Sequence, residues 1–71
     1  MYITSRTITH KSGTKHVSYL LRVNPVIWTQ NTTEAKTYTT KTKANEDIKI
    51  VRKYKAFGAD KEQYEVIQKG N

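Results

Sequence analysis

Lys15-His16-Val17-Ser18-Tyr19-Leu20-Leu21-Arg22-Val23 is the stretch whose pattern decides the fold. Apolar residues occupy every second position of it, at Val17, Tyr19, Leu21 and Val23. This is the period of a strand with one buried face, and Val and Tyr are favoured on a pleated surface. We therefore predict a central strand that buries the row containing Tyr19 and Leu21. The opposite row mixes basic, polar and apolar side chains: His16, Ser18, Leu20 and Arg22.

A first strand precedes this one and is joined to it by a tight turn. Residues Tyr2–Thr9 are rich in Ile and Thr, and Gly13 can supply the positive φ that closes a three-residue loop over residues 11–13. That loop pairs His10 with Thr14, and a slip of one residue would exchange the two faces. The pairing puts Ile3, Ser5 and Thr7 with the Tyr19 row, and Tyr2, Thr4, Arg6 and Ile8 with the Leu20 row.

Shorter signals follow the central strand. Residues 26–28 are apolar and form either a third strand or an extended segment across the core. Residues 34–36 fit one helical turn capped by Thr32 or Thr33, because a hydroxyl can accept from the free amides of a helix start. Residues 36–39 fit another short strand.

The hydrophobic period becomes helical over about residues 41–54. Ala44, Ile48 and Val51 follow the i, i+4, i+7 spacing of a helix with one apolar stripe. Thr40 stands where it can cap the first turn. The sequence therefore predicts an amphipathic helix here, with its apolar stripe against the sheet.

The last elements complete a two-layer fold. Gly58 is a helix stop signal, and residues 63–67 alternate as a closing strand. We predict a single α+β domain over residues 1–71, with one helix packed on one face of a small antiparallel sheet. The sheet consists of the N-terminal hairpin, one or two short strands and the C-terminal strand. The predicted core brings together Tyr19, Leu21, Ile48 and Val51.

The charge of the chain points to an acidic partner. The 71 residues carry a net charge of +7, with a pI of about 9.8. The first acidic residue is Glu34, so the predicted hairpin is purely cationic. The alternative is that the charge only keeps a small protein in solution. With no cysteine and no apolar run near the roughly 20 residues of a membrane span, we expect a cytoplasmic protein without a membrane segment.

Several short motifs occur in an order that resembles one known group of proteins. They are Tyr19-Leu20-Leu21-Arg22, Trp28-Thr29, Ala35-Lys36-Thr37-Tyr38 and Ala44. This order is similar to that of small uncharacterised proteins encoded by phages and prophages of low-GC bacteria, and it covers about half the chain. The resemblance implies a mobile-element origin in a bacterial host, and an accessory or inhibitory role rather than a metabolic one. It implies no site.

Catalysis has few candidate residues in this chain. His10 and His16 flank the predicted turn, but no acidic residue precedes Glu34 to orient either ring, so surface histidines are the expected interpretation and a metal site the remote one. Glu46 and Asp47 are adjacent, and on a helix they point about 100 degrees apart, which is unsuited to an acid and base pair. We therefore expect no enzyme, no cofactor and no metal.

Binding has more support from the sequence. A cationic hairpin interleaved with apolar side chains is typical of a sheet that contacts phosphates and offers a stacking surface. The predicted binding residues are Arg6, Lys11, Lys15, His16, Leu20 and Arg22. The alternative is that the helix covers this face, so that its aliphatic row packs inside and only its edges carry charge.

Two kinds of partner follow from this hairpin. The first is nucleic acid, bound by the cationic side chains. The second is a host protein that processes nucleic acid, which would be inhibited in the manner of an anti-CRISPR protein through a patch containing Ile8 and Leu20. A homodimer is a third interpretation. The helix is not expected to bind, because Glu46 and Asp47 offset part of its positive charge.

Overall fold

The described part of the chain forms a four-stranded sheet and one helix. The computed structural model describes residues 1–54 and 60–70. Its elements in chain order are β1 (Tyr2–Thr9), β2 (Lys15–Arg22), β3 (Ile27–Thr29), α1 (Lys41–Val51) and β4 (Lys61–Gln68). The predicted α+β architecture, with one helix on an antiparallel sheet, is confirmed within these residues.

The sheet has the order β3-β2-β1-β4, and each neighbouring pair is antiparallel. The hairpin register is the predicted one, since Ser5 lies opposite Tyr19 and Thr7 opposite Val17. Its loop closes through the amide of His10, which donates to the Thr14 carbonyl at 2.9 Å. Gly13 has a φ of 91°, in the left-handed region that favours glycine. β4 returns beside the whole of β1, and β2 pairs with the other edge of β1 from Ser5 to Thr9.

The segment between β3 and α1 departs from its predicted form. Residues 36–38 do not make a strand, because their regular pairing is limited to a single bridge in which Tyr2 and Tyr38 exchange two backbone hydrogen bonds of 2.8 Å. The helical turn predicted at residues 34–36 is instead a turn organised by Asn31. Its Oδ1 accepts from the Thr33 amide at 3.0 Å, where Thr32 or Thr33 had been expected as the cap.

Helix α1 begins as predicted and ends earlier. The Thr40 hydroxyl accepts from the Lys43 amide at 3.2 Å, and the buried residues of the helix are Ala44, Ile48 and Val51. The helix ends at Val51 rather than at residue 54, because the next amides turn back to nearby carbonyls and tighten the last turn. The predicted stop at Gly58 lies outside the described residues.

Helix α1 covers the sheet face that contains Leu20. Leu20 is fully buried, and Thr4, which belongs to the same face by alternation from Arg6, is 1% exposed. At the start of the helix the Lys41 ammonium lies 5.8 Å from the Tyr2 ring centroid, and Tyr2 belongs to the same face by alternation. Beyond the end of the helix, Tyr54 lines one hollow together with residues of that face. This face is called the covered face.

The predicted assignment of the two faces is therefore wrong. Tyr19 and Leu21, expected in the core with Ile48 and Val51, lie on the opposite face and are only half-buried, and Val17 is 46% exposed. The physical reason lies in the other strands. Leu20 is the only apolar residue that β2 contributes to the covered face. The other strands add four large apolar side chains to that face: Ile8, Trp28, Tyr64 and Val66. The opposite face is called the open face.

Candidate binding surface

Arg6, one of the predicted binding residues, is used inside the protein. Its guanidinium carbon lies 4.0 Å from the centroid of the Trp28 ring, and Nη1 lies 4.0 Å from Oε1 of Glu62. The side chain is only 12% exposed. A guanidinium on an indole face is a favourable cation–π contact, so Arg6 stabilises the covered face rather than presenting a charge to solvent.

The same cluster contains the closing strand's aromatic residue. The rings of Trp28 and Tyr64 lie 6.3 Å apart, and the Tyr64 hydroxyl hydrogen-bonds Oε1 of Glu62 at 3.3 Å. Burial, and then the negative charge of Glu62, raise the pKa of Tyr64. The cluster is thus an internal aromatic and ionic contact that joins β1, β3 and β4.

Leu20, another predicted binding residue, is also not available for binding. It is fully buried on the covered face, so it cannot be the exposed apolar anchor that the sequence predicted. Arg22 is exposed but lies at the other end of β2, opposite Ile27, where the pairing with β3 is irregular. The structure therefore separates Arg6, Leu20 and Arg22 from the predicted residues near the hairpin turn.

The hairpin end does bring several cations together. Lys11, Lys15 and His16 are exposed there, and the His16 ring lies 5.2 Å from that of His10 in an edge-to-face arrangement. Thr9 pairs with Lys15 on one side and with Lys61 on the other. Since strands are about 4.8 Å apart, the two lysine backbones are roughly 10 Å apart, on the same face of the sheet. That face is the open face, because Lys15 alternates with Val17 and Tyr19.

The open face changes in character from one end of the sheet to the other. A cationic row at the hairpin end is followed by mixed and then by aliphatic rows. From β2 to β4 the rows are Lys15, Thr9 and Lys61; Val17, Thr7 and Gln63; and Tyr19, Ser5 and Glu65. Beyond them Ile3 pairs with Ile67, and Leu21 lies on the same face of β2 by alternation. Ile3 and Ser5 of β1 are buried, whereas Tyr19 and Leu21 of β2 are half-buried.

Two members of this surface were not among the predicted binding residues. Lys61 was missed because it becomes a neighbour of Lys15 only through the pairing of β4 with β1. Tyr19 was assigned to the core. The signal that could have identified it is the partner row, since Leu20 is the apolar residue of β2 that shares a face with the aromatic residues of β3 and β4. The register across the whole sheet, rather than the pattern of one strand, determines which face of β2 is buried.

The outer surface of α1 is a second cationic region. Residues 41–54 include five Lys or Arg and two acidic residues. One of these acids, Asp47, is engaged with the segment before the helix, because Lys36 Nζ lies 2.9 Å from its Oδ2 and the Tyr38 hydroxyl donates to the same oxygen. Burial and this hydrogen bond raise the pKa of Tyr38. A test of binding therefore needs helix variants as controls.

Neither a metal-binding group nor a similar known protein indicates what this surface binds. Within residues 1–54 and 60–70, no group of three His, Asp or Glu side chains is placed to hold a metal ion, and no helix has the length and apolar character to cross a membrane. Comparison with family models, with curated proteins and with solved structures finds no match. Function is therefore inferred from the surface itself.

Proposed function

We propose that the protein is a non-enzymatic nucleic-acid-binding module that uses the hairpin end and the open face. The observation that carries this proposal is the placement of Lys15 and Lys61 on either side of Thr9, both exposed and both on the open face. Exposed lysines beside a sheet face free of the helix can contact successive phosphates without disturbing the core.

The overall charge supports the same class of partner. A net charge of +7 on 71 residues gives a long-range attraction for polyanions, and it disfavours association with another cationic chain, including a second copy. Lys11 extends the cationic region around the turn, and His16 is exposed beside it. With the phage-type resemblance, this favours an accessory protein that acts on nucleic acid in the cytoplasm of a bacterial host.

The test compares two matched pairs of substitutions. Lys15→Ala with Lys61→Ala removes two charges from the hairpin end. Lys49→Ala with Lys53→Ala, here called the helix pair, removes two from the exposed surface of α1 and the turn after it. Binding of an oligonucleotide is measured by fluorescence anisotropy over a range of salt. The hairpin pair should lower the slope of log K against log salt by about 1.4 to 1.8, the value for two lost phosphate contacts.

The helix pair should leave that slope nearly unchanged, apart from a modest loss of affinity caused by the lower net charge. The opposite result, with the slope lowered only by the helix pair, would move the binding surface to α1. Absence of salt-dependent binding in the unmodified protein would reject nucleic acid as the partner.

One observation favours a second candidate function, inhibition of a host protein that processes nucleic acid. Val17 on the open face is an aliphatic side chain that is 46% exposed, and a protein partner could bury it. Affinity capture from a bacterial host with and without nuclease separates the two functions. A protein partner that is retained after nuclease treatment supports the second, and loss of all partners supports the first.

A further inference from the structure

We infer that the ligand is single-stranded nucleic acid, and that Tyr19 of the open face stacks on one of its bases. This inference rests on the proposed function and names the form of nucleic acid that the surface fits. Tyr19 lies in the second inner strand of the sheet, with Ser5 and Thr29 as its directly paired neighbours. Both neighbours are small, so they leave room above the sheet beside the tyrosine.

Tyr19 differs from the aromatic residues that hold the fold together. Trp28 packs on Tyr64 and Arg6, and Tyr38 donates to Asp47. Within the described residues, the Tyr19 ring has no aromatic or cationic partner and its hydroxyl has no hydrogen bond. A half-buried aromatic residue with no internal partner, on a face free of the helix, is a suitable platform for a base.

The dimensions and polarity of the open face disfavour a duplex. Four strands at about 4.8 Å spacing span at least about 14 Å, which is wider than the roughly 12 Å major groove. A duplex presents its phosphates outward and its base faces stacked, so it would place charge against the aliphatic pair of Ile3 and Ile67. A single strand offers both parts that the open face matches, phosphates for the lysines and base faces for an aromatic residue.

The charges on the open face determine where the phosphates and the bases of the bound strand lie. Lys15 and Lys61 form one row, whereas Glu65 lies in the same row as Tyr19 and repels phosphates there. The phosphates are therefore held near the hairpin end, and the bases lie toward Tyr19. Thr7 and Gln63, between these rows, provide hydrogen-bonding groups at the height of the base edges.

The experiment uses two probes and one matched pair of variants on the full chain. The probes are an oligothymidylate of about 12 nucleotides and a duplex of the same length, within the site size of single-strand-binding surfaces. Tyr19→Leu keeps apolar area and removes the aromatic ring, and Tyr19→Phe keeps the ring. Thermal melting of both variants establishes that they fold.

The single strand should bind at least about tenfold more tightly than the duplex at equal salt. Tyr19→Leu should weaken single-strand binding by about tenfold, while Tyr19→Phe and duplex binding change little. Equal or tighter duplex binding, or equal affinity of the Leu and Phe variants, would overturn the inference while leaving salt-dependent nucleic-acid binding in place.

Poly-glutamate of matched charge serves as a third probe. Weak binding of poly-glutamate supports the inference, because charge alone then does not explain the affinity. Binding as tight as that of the single strand would overturn the inference and favour an acidic protein as ligand. Absence of salt-dependent binding to both nucleic acids would reject the proposed function itself.

Discussion

The two faces of the sheet carry similar amounts of apolar sequence but have different roles. The covered face contains the fully buried Leu20, and the rings of Trp28 and Tyr64 lie close together on it. The open face contains Tyr19 and Leu21, which are half-buried and have no helix above them. The apolar alternation of β2 marks the open face, so the more apolar side of a strand is not always its inner side. Large residues on the neighbouring strands determine which side the helix covers.

The largest expected difference between the faces is in the stability lost when one of two adjacent leucines is truncated. Leu20→Ala removes a fully buried side chain and should lower the free energy of unfolding by about 2 to 5 kcal/mol. Leu21→Ala, on the open face, should cost about 1 kcal/mol because water already reaches part of the side chain. Urea unfolding of the two variants measures both values. A larger loss in Leu21→Ala than in Leu20→Ala would reverse the assignment of the faces.

The second largest expected effect on stability is at the hydrogen bond that joins α1 to the segment before it. Tyr38→Phe removes the hydroxyl that donates to Asp47 and should lower the free energy of unfolding by about 1.5 to 3 kcal/mol, the range for a hydrogen bond to a charged group. Thr37→Ala, at an exposed neighbour, is the control and should be nearly neutral. Equal stability of both variants would show that this contact does not hold the helix on the covered face.

A smaller effect is expected at Arg6. Arg6→Met keeps much of the apolar stem over Trp28 and removes the guanidinium, so it should cost about 1 kcal/mol through the lost cation–π contact. Because Arg6 is enclosed, the salt dependence of nucleic-acid binding should not change. A slope lowered by one phosphate contact in Arg6→Met would instead place Arg6 on the binding surface, as the sequence had predicted.

The smallest effect is a pH dependence confined to alkaline solution. Burial, and then the hydrogen bond to Asp47, raise the pKa of Tyr38, so the folded state favours the neutral phenol. This contribution is fully present below about pH 10, the ordinary tyrosine value, and declines as the pH rises above it. Above pH 10 the unmodified protein should therefore lose stability more steeply than Tyr38→Phe. Parallel curves of unfolding free energy against pH would contradict this.

The elements of the fold could largely be predicted from the sequence, because their signals are local. The loop ending at Gly13 sets the hairpin register, and Thr40 with the stripe of Ala44 and Ile48 sets the helix. Which face of the hairpin the helix covers could not be predicted from β2 alone. That choice depends on Trp28 and on the position of β4, both of which are set by pairing between distant segments.

The candidate site could be predicted only in part, because only some of its residues are close together in the sequence. Lys11, Lys15 and His16 lie close together because they share one hairpin, and the sequence places them so. Lys61 joins them only because the last strand returns beside the first. A charged or polar row can belong to a covered face when one residue in it, here Leu20, is fully buried.

Thiol labelling of single cysteines tests most directly whether the open face is the binding surface. The chain contains no cysteine, so Val17→Cys reports on the open face and Asn45→Cys on the outer surface of α1, both at exposed, uncharged positions. Addition of a single-stranded oligonucleotide should slow labelling of Val17→Cys several-fold and leave Asn45→Cys unchanged. Protection of Asn45→Cys with no change at Val17→Cys would contradict the account and place binding on the helix.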